Sequence, residues 1–330
     1  MIHHIRRRVL GLSALALLTP RSRAAQAAAP EEINPGEINI DWATYNPVSL
    51  VLKDQHLLED AFAADKISIR WVQSAGSNKA LEFLNAGSLD FGSTAGAAAL
   101  IAKVNGNPLR TIYVFSRPEW TALVTMPDSP IHTVADLRGQ RIAVTRGTDP
   151  HIFLVRALAE AGMSEKDVKL VLLQHPDGRT ALERGDVAAW AGLDPMMAAA
   201  ELESHARLFY RKPEANTWGV LNVREEFAAA HPGIVRKVLT QYEVARKWAV
   251  SHKPELIAMM GAADKLSAAI NERQLQRTDM SSGMIGEAQA KTIIEAGKAL
   301  QAAGVLDASV DVTAVTNAMI DPSYARAIGA

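Results

Sequence analysis

The chain has 330 residues, of which 48% are hydrophobic and 22% are charged, and its formal net charge is −1. This composition is typical of a globular protein with enough chain for two lobes, and it gives no basic surface that would favour nucleic acid. Because the sequence has no cysteine, disulfides, cysteine-ligated metal sites, thiol catalysis and a lipid-modified N-terminal cysteine are excluded.

The N-terminus has the order of features expected of an export signal. The basic run Arg6–Arg8 precedes the apolar run Val9–Leu18, which is too short to span a bilayer. Ala25–Ala27 (AQA) then fits the small-x-small rule for cleavage. The sequence therefore predicts a signal peptide over residues 1–27, cleaved near Ala27, and a periplasmic location. A frayed N-terminal helix is the alternative.

Beyond this signal, short β-rich runs alternate with amphipathic helical runs, which is the pattern of an α/β fold. In the first part we predict strands at 37–42, 67–72, 89–92, 110–115 and 121–125, with helices at 48–58, 78–86 and 97–104. After a loop rich in Pro and Asp we predict strands at 141–145, 168–173, 187–190, 207–210 and 218–223, with helices at 150–161, 179–184 and after Asp194. From Arg224 onward the pattern is almost wholly helical.

The restart of this alternation predicts a discontinuous, two-lobed arrangement. Residues 28–125 and 216–330 would form the first lobe, with the helical C-terminus packed on it, and residues 126–215 would form the second lobe. The two crossings, near Met126 and Asn216, would act as a hinge. Such proteins close around a ligand held between the lobes.

Ligands of open α/β sheets bind beyond the carboxyl ends of the strands, so the loops from strand end to helix start are the candidates. Three of these loops carry small, hydroxyl or amide residues together with one histidine, namely Gly76, Ser77 and Asn78, then Ser93 and Thr94, then Gly147, Thr148, Asp149 and His151. The first N–H groups of a helix lack internal partners and favour an anion, so these loops could bind a sulfonate, carboxylate or phosphate. Helix capping is the alternative for each loop alone.

A second group of candidates consists of aromatic residues at predicted strand ends. Tyr45, Trp190 and Trp218 lie at such positions, and Asp194 lies in a fourth loop, Gly192–Pro195. Aromatic side chains in a cleft would suit the organic part of a ligand. Ordinary core packing is the alternative for each of them.

The sequence contains no catalytic signature. We find no HExxH, GxSxG, Walker-type or GxGxxG segment, and the histidines show no spacing typical of metal ligands. We therefore predict a protein that is not an enzyme, with no metal and no cofactor.

Several segments in order carry a resemblance to a known family. They are Tyr45–Pro47 (YNP), Leu84–Thr94 (LNAGSLDFGST), Asp136–Val144 (DLRGQRIAV), Gly185–Trp190 (GDVAAW) and Asp194-Pro195. Together they resemble aliphatic sulfonate-binding proteins of ABC transporters, within the nitrate/sulfonate/taurine-type periplasmic substrate-binding family. The resemblance covers roughly residues 38–250.

This resemblance implies a periplasmic binding protein fold, a monomer, and delivery of a small organic ligand to the membrane permease of an ABC transporter. It implies a sulfonate held by loop amides and hydroxyls, with the organic tail against aromatic residues of the cleft. Carried over by position, the contacts are Gly76, Ser77, Ser93, Thr94, Gly147, Thr148 and His151, with Trp190 and Asp194 in the second lobe.

One departure leaves the ligand class open. The family often has a Ser or Thr followed by a small residue where this chain has Asp149 and Pro150. A carboxylate at that helix start competes with a bound anion, so the ligand could instead present an amine or hydroxyl to Asp149. Taurine, nitrate and a pyrimidine precursor of thiamine stay open as ligands. A thiamine-pyrimidine-synthase-like enzyme is the alternative of another class, although such enzymes carry a cysteine-rich segment.

Overall fold

The computed structural model describes residues 34–330, and the predicted signal peptide over residues 1–27 lies outside them. Within the described residues, no helix is both long and apolar enough to cross a membrane. The strands are β1 (Glu37–Trp42), β2 (Ser68–Gln73), β3 (Phe91–Ala95), β4 (Leu109–Pro118), β5 (Leu123–Thr125), β6 (Arg141–Val144), β7 (Lys169–Leu172), β8 (Ala189–Ala191), β9 (Arg207–Tyr210), β10 (Gly219–Arg224) and β11 (Thr278–Asp279).

The helices pack on the sheets, most of them through buried apolar residues three or four positions apart, as in Ala80, Leu81 and Leu84. They are α1 (Pro47–Asp54), α2 (Leu57–Phe62), α3 (Ser77–Asn85), α4 (Gly96–Val104), α5 (Asp149–Glu160), α6 (His175–Glu183), α7 (Met196–Ser204), α8 (Glu225–Ala230), α9 (Pro232–Ser251), α10 (Lys253–Asp264), α11 (Ala268–Gln276), α12 (Glu287–Ala302), α13 (Val312–Met319) and α14 (Ser323–Ile328).

The strands of residues 34–330 form two sheets. The first has the order β11-β4-β10-β3-β1-β2, and the second has the order β7-β6-β8-β5-β9. In the first sheet β1 runs parallel to β2 and β3, while β10 runs antiparallel to β3 and β4. In the second sheet β6 runs parallel to β7 and β8, while β5 runs antiparallel to β8 and β9. Each sheet is thus parallel where helices connect its strands.

The chain passes between the sheets twice. The first crossing (residues 119–122) joins β4 to β5, and the second crossing (residues 211–218) joins β9 to β10. The two crossings touch, because Thr121 donates its backbone N–H to Asn216 Oδ1 at 3.0 Å. The lobe boundaries at residues 125 and 216 remain predictions. Because Leu123–Thr125 pairs within the second sheet, the boundary predicted at residue 125 is better placed a few residues earlier in the chain.

Three predicted elements differ from the observed ones. The predicted helix 48–58 is two helices, interrupted where His56 takes a left-handed conformation with φ of 53°. The strand predicted to end at Gly92 continues to Ala95. Helix α6 begins at His175, four residues before the predicted start. The second and third differences change which residues can reach a ligand.

Candidate ligand-binding site

Two adjoining cavities lie where the crossings meet the helix starts, and Tyr45 and Leu193 line both of them. The inner cavity of about 10 Å³ has room for about one water molecule. It is lined by Tyr45, Ser77, Trp120, Thr148, Asp149, Pro150 and Leu193. The outer cavity of about 210 Å³ is smaller than the roughly 300–1,000 Å³ of pockets for drug-sized ligands, which suits a small solute.

The start of α3 supplies hydrogen-bond donors beside the inner cavity, which Ser77 lines. The backbone N–H groups of Ser77 and Asn78 stand in the first turn, where no carbonyl of the helix can accept from them. The Ser77 hydroxyl oxygen accepts from the Ala95 N–H at 2.9 Å, so its own hydrogen is free to donate. Gly76 precedes them, and a Cβ there would lie 2.9 Å from Asn78 Oδ1. A side chain at position 76 would therefore crowd the start of α3.

At the start of α5, the polar side chains are already hydrogen-bonded within the protein. Gly147 has a φ of 78°, which favours glycine, and the Thr148 hydroxyl donates to the Thr145 carbonyl at 2.6 Å. The Asp149 carboxylate accepts from Trp120 Nε1 at 2.9 Å, from the Thr217 N–H at 3.0 Å and from the Thr217 hydroxyl at 2.5 Å. Burial raises the pKa of Asp149, and these hydrogen bonds oppose that rise. Asp149 therefore binds both crossings to α5 instead of presenting a free carboxylate.

Ser93 and Thr94 are fully buried, because β3 runs on to Ala95 and includes them. Ser93 donates its hydroxyl to Asp41 Oδ1 at 2.9 Å and accepts from Asn46 Nδ2 at 2.8 Å. Thr94 donates to the Ala95 carbonyl and accepts from Asn222 Nδ2 at 2.8 Å. Their hydroxyls hold the sheet together behind the cavities.

Tyr45 connects this support to the cavities, whereas Asp41 is fully buried behind them. The Tyr45 hydroxyl donates to the Ser93 carbonyl at 2.9 Å, and its ring meets Trp120 edge to face at 6.0 Å. Tyr45 thus presents its ring, and not its hydroxyl, to the inner cavity. Burial raises the pKa of Asp41 to about 6, although hydrogen bonds from Ser93 lower it.

The remaining predicted residues lie apart from the inner cavity. The His151 ring is within 2.8 Å of Glu165 Oε1 through Nε2. Trp190 is fully buried in the core of the second sheet, where a Cβ on Gly178 would lie 2.6 Å from its Nε1. Trp218 lies under the Arg117 guanidinium at 5.3 Å and lines a separate groove of about 390 Å³.

Asp194 lines the outer cavity and is held by an ion pair. Arg277 donates to its two carboxylate oxygens at 2.9 and 3.0 Å, and also to Glu201 Oε2 at 2.6 Å. Burial nevertheless raises the pKa of Asp194 to about 6, against the lowering effect of Arg277. The pair joins the loop before α7 to the end of α11.

His175 is a residue that the sequence analysis missed. It begins α6, is 3% exposed and lines the outer cavity. Its Nδ1 lies 3.2 Å from Thr145 Oγ1, whereas its Nε2 has no hydrogen-bond partner among the described residues. The signal that could have found it is His175-Pro176 shortly after a strand, because Pro is favoured in the first turn of a helix. In the described part of the chain, no group of three His, Cys, Asp or Glu could hold a metal ion.

The chain has two sheets joined by two crossings, and helix starts surround the cavities beside those crossings. This arrangement defines a two-lobed binding protein for a small solute. The chain belongs to the NMT1/THI5-like family, whose sequence profile matches residues 61–255. An aliphatic sulfonates-binding protein of Escherichia coli (strain K12) is 29% identical over 266 residues, which cover 80% of this chain and 82% of the relative.

Solved structures give the same fold. The alkanesulfonate-binding protein SsuA from Xanthomonas axonopodis pv. citri, bound to MOPS, has a TM-score of 0.77 at 26% identity and covers 86% of this chain and 98% of its own. The periplasmic aliphatic sulphonate binding protein SsuA from Escherichia coli has a TM-score of 0.73 at 26% identity, with coverage of 84% and 91%. The predicted fold class and family resemblance are confirmed. A desulfurization enzyme at 16% identity and a TM-score of 0.64 shares the fold alone.

Proposed function

We propose that this chain is the periplasmic substrate-binding component of an ABC importer and that it binds an aliphatic sulfonate in the two adjoining cavities. The observation that carries the proposal is the start of α3, where Ser77 lines the inner cavity with a free hydroxyl hydrogen and stands in the first turn, whose N–H groups have no acceptor within the helix. A sulfonate oxygen accepts such bonds and is favoured by the positive end of the helix.

The walls around these donors suit the aliphatic part. The rings of Tyr45 and Trp120 and the side chains of Pro150 and Leu193 line the inner cavity. No Lys or Arg of the described residues lines either cavity. A headgroup of low charge density with an apolar tail therefore fits better than a small, strongly hydrated anion such as nitrate.

The candidate residues then fall into two groups. We propose direct contact for Tyr45, Gly76, Ser77, Asn78 and Thr148. Asp149 and Asp194 line the cavities, but their carboxylates are paired within the protein. The others shape the strands, the crossings and the helix starts behind the cavities: Ser93, Thr94, Gly147, His151, Trp190 and Trp218.

Entry of the ligand requires the lobes to separate, because the inner cavity has room for about one water molecule. We propose that the lobes are residues 28–125 with 216–330, and residues 126–215, and that they move about the two crossings. The importer's membrane permease would receive the ligand from the closed form of a monomer, exported by cleavage near Ala27. A non-catalytic role without a cofactor agrees with the binding proteins among its relatives.

The test is calorimetry and thermal unfolding of the purified protein with ethane-, butane- and hexanesulfonate, beside carboxylates of the same lengths, sulfate and nitrate. A ligand at 100 times its Kd stabilises the fold by about 2.7 kcal/mol, which raises Tm by several degrees. We expect this rise with sulfonates and not with nitrate. The proposal is contradicted if no sulfonate raises Tm, or if the protein converts one of the sulfonates into a product.

A further inference from the structure

Two helices from different lobes meet beside the outer cavity. Helix α7 packs on the second sheet, because Met197 and Ala200 lie in the core of that sheet. Helix α11 packs against α10 and leads into β11, which pairs with β4 of the first sheet. We call the place where they touch the α7–α11 contact, and its members are Asp194, Ala198 and Glu201 on one side and Ile270, Arg273 and Arg277 on the other.

Both sides of the α7–α11 contact have helical spacing. Its members before and along α7 are four and then three positions apart, and its members along α11 are three and then four positions apart. Such spacing places side chains on one face of a helix. Asp194 precedes α7, yet its Oδ1 accepts from the Ala198 N–H at 2.9 Å, which holds it at the helix start. Each lobe therefore presents a single face to the other lobe.

The charges on the two faces are complementary. Arg277 donates through Nε and Nη2 to the two carboxylate oxygens of Asp194, at 3.0 and 2.9 Å, and through Nη1 to Glu201 at 2.6 Å. Arg273 reaches the other oxygen of Glu201 at 3.4 Å. The side chains of Arg277 and Asp194 are only 7% and 2% exposed. This ion pair is therefore largely removed from water where the lobes meet.

Apolar side chains fill the middle of the same contact. Ala198, Ala199 and Ile270 form a small buried cluster that is separate from the cores of the two sheets. Separation of the lobes would expose this cluster and return the charged groups to water, where ion pairs contribute little. The α7–α11 contact therefore stabilises the form in which the lobes are together.

The α7–α11 contact also adjoins the walls of the outer cavity. On the second lobe Asp194, Pro195 and Met196 line that cavity. On the first lobe Gln274 of α11 donates to the Thr44 carbonyl at 3.0 Å, and Thr44 lines the same cavity. The two faces are thus attached to opposite walls of the space in which the ligand is proposed to bind.

From these observations we infer that Arg277 is a positioning residue for ligand retention, which holds α7 of the second lobe on α11 of the first, and that the α7–α11 contact separates before the ligand leaves. The inference rests on the proposed function and identifies a contact that limits release. Without Arg277, Asp194 would be buried without a basic partner when the lobes are together but hydrated when they are apart. Since Arg277 lines neither cavity, its effect should not depend on which ligand is bound.

Stopped-flow measurement of ethanesulfonate and butanesulfonate binding at pH 7.5 tests this inference. Trp120 lines the inner cavity and supplies a fluorescence signal. We expect Arg277→Met to release both ligands at least 10-fold faster, by the same factor for each, with association rates no lower than one third of the native values. Unequal factors for the two ligands would mean that Arg277 acts on the ligand itself, which overturns the inference.

Arg246→Met is the matched control. Arg246 is also 7% exposed and ion-paired, but its partner Glu243 lies on the same helix α9 of the first lobe. We expect this variant to lose stability in urea unfolding and yet to release both sulfonates within 3-fold of the native rate. If Arg246→Met accelerates release as much as Arg277→Met does, the effect comes from general destabilisation and the inference is overturned.

A covalent bridge tests the same contact without removing Arg277. Because the chain has no cysteine, the pair Glu201→Cys and Arg273→Cys can be joined selectively by a short bifunctional maleimide. The native side chains at these positions face each other at 3.4 Å and are 18% and 39% exposed. Bridging with ethanesulfonate bound should slow its release at least 100-fold relative to either single cysteine variant treated with the same reagent.

The outcomes separate this inference from the proposed function. If the bridged protein releases ethanesulfonate at the rate of the single variants, the α7–α11 contact stays together while the ligand leaves, and the inference is overturned although sulfonate binding stands. If neither sulfonate binds to the native protein, the proposed function fails and the inference fails with it.

Discussion

The Asp149 carboxylate accepts two hydrogen bonds from Thr217, from its N–H at 3.0 Å and from its hydroxyl at 2.5 Å. Thr217 also accepts from the start of α4, through its carbonyl from the Gly96 N–H at 2.8 Å and through its hydroxyl from the Ala97 N–H at 3.0 Å. Thr217 therefore joins the start of a helix on the first sheet to the start of a helix on the second. The second crossing passes between the two helix starts and is held by both.

This relationship predicts different results for two substitutions at Asp149. Asp149→Ala leaves Trp120 Nε1 and the Thr217 N–H buried without an acceptor, so we expect a loss of about 3 kcal/mol in the free energy of unfolding. Asp149→Asn retains one oxygen for these donors and should lose about 1 kcal/mol. Urea unfolding measures both.

The same pair of variants separates a structural carboxylate from one that meets a ligand amine. If Asp149 only holds the crossings, Asp149→Asn binds 2-aminoethanesulfonate within about 3-fold of the native Kd, which is a change of about 0.7 kcal/mol. A loss of 100-fold or more with little change in stability would place the ligand amine at Asp149.

Asp41 predicts a pH dependence of stability. Its pKa is about 6 in the fold because of burial, against an ordinary value of 3.8. Since the folded state holds the proton more tightly, the stability from this group is complete below pH 4 and is lost as pH rises to 6. At about 1.4 kcal/mol per pKa unit the loss is about 3 kcal/mol.

Asp41→Asn keeps an oxygen for Ser93 and removes the buried charge. The difference in unfolding free energy between this variant and the native protein should increase in favour of the variant from pH 4 to pH 6 and then stay constant. Urea unfolding at several pH values measures it, with the exposed Asp128→Asn as the control. A difference that does not depend on pH contradicts the buried charge at Asp41.

The order of elements could be predicted from the sequence because it depends on local patterns. Alternating strands and helices, and apolar residues at helical spacing, identified both sheets. The boundaries were less accurate. The run Gly92–Gly96 (GSTAG) has small residues typical of a loop, yet Ser93 and Thr94 lie in a strand because β10 pairs with them across the sheet. A pairing between residues more than 120 positions apart leaves no local signal.

The candidate site was predicted in part for the same reason. The start of α3 could be identified from Gly76-Ser77-Asn78 after a strand. The role of Asp149 could not, since its partner Thr217 is 68 positions away. His175 was missed because His175-Pro176-Asp177-Gly178 has the composition of a turn. Gly178 is instead required by packing, because Trp190 Nε1 would lie 2.6 Å from a Cβ there.

The Arg277–Asp194 ion pair predicts a stability loss that depends on pH. The Arg277 side chain is only 7% exposed, and removal of one partner of a buried pair costs about 3–5 kcal/mol. We expect Arg277→Met to lose about that much at pH 7.5 and less at pH 5, where Asp194 takes up a proton. Arg273→Met is the matched control, because Arg273 contacts the same Glu201 at 3.4 Å but is 39% exposed. Equal losses of unfolding free energy in the two variants would show that burial does not strengthen the effect of removing the arginine.

Gly76 and Gly286 offer a matched test of where the ligand binds. Each precedes a helix, and each has an extended backbone, with φ of 170° and 177° that any residue adopts. A Cβ at Gly286 meets no atom within 4 Å, whereas one at Gly76 lies 2.9 Å from Asn78 Oδ1 and 3.3 Å from His175 Nε2. Since the added methyl fills the approach to the start of α3, Gly76→Ala should weaken sulfonate binding at least 10-fold, about 1.4 kcal/mol. Gly286→Ala should bind as the native protein does, and both variants should unfold within a few degrees of the native Tm. Calorimetry measures the affinity and thermal unfolding measures Tm. If Gly76→Ala binds sulfonates with native affinity, the sulfonate does not bind at the start of α3.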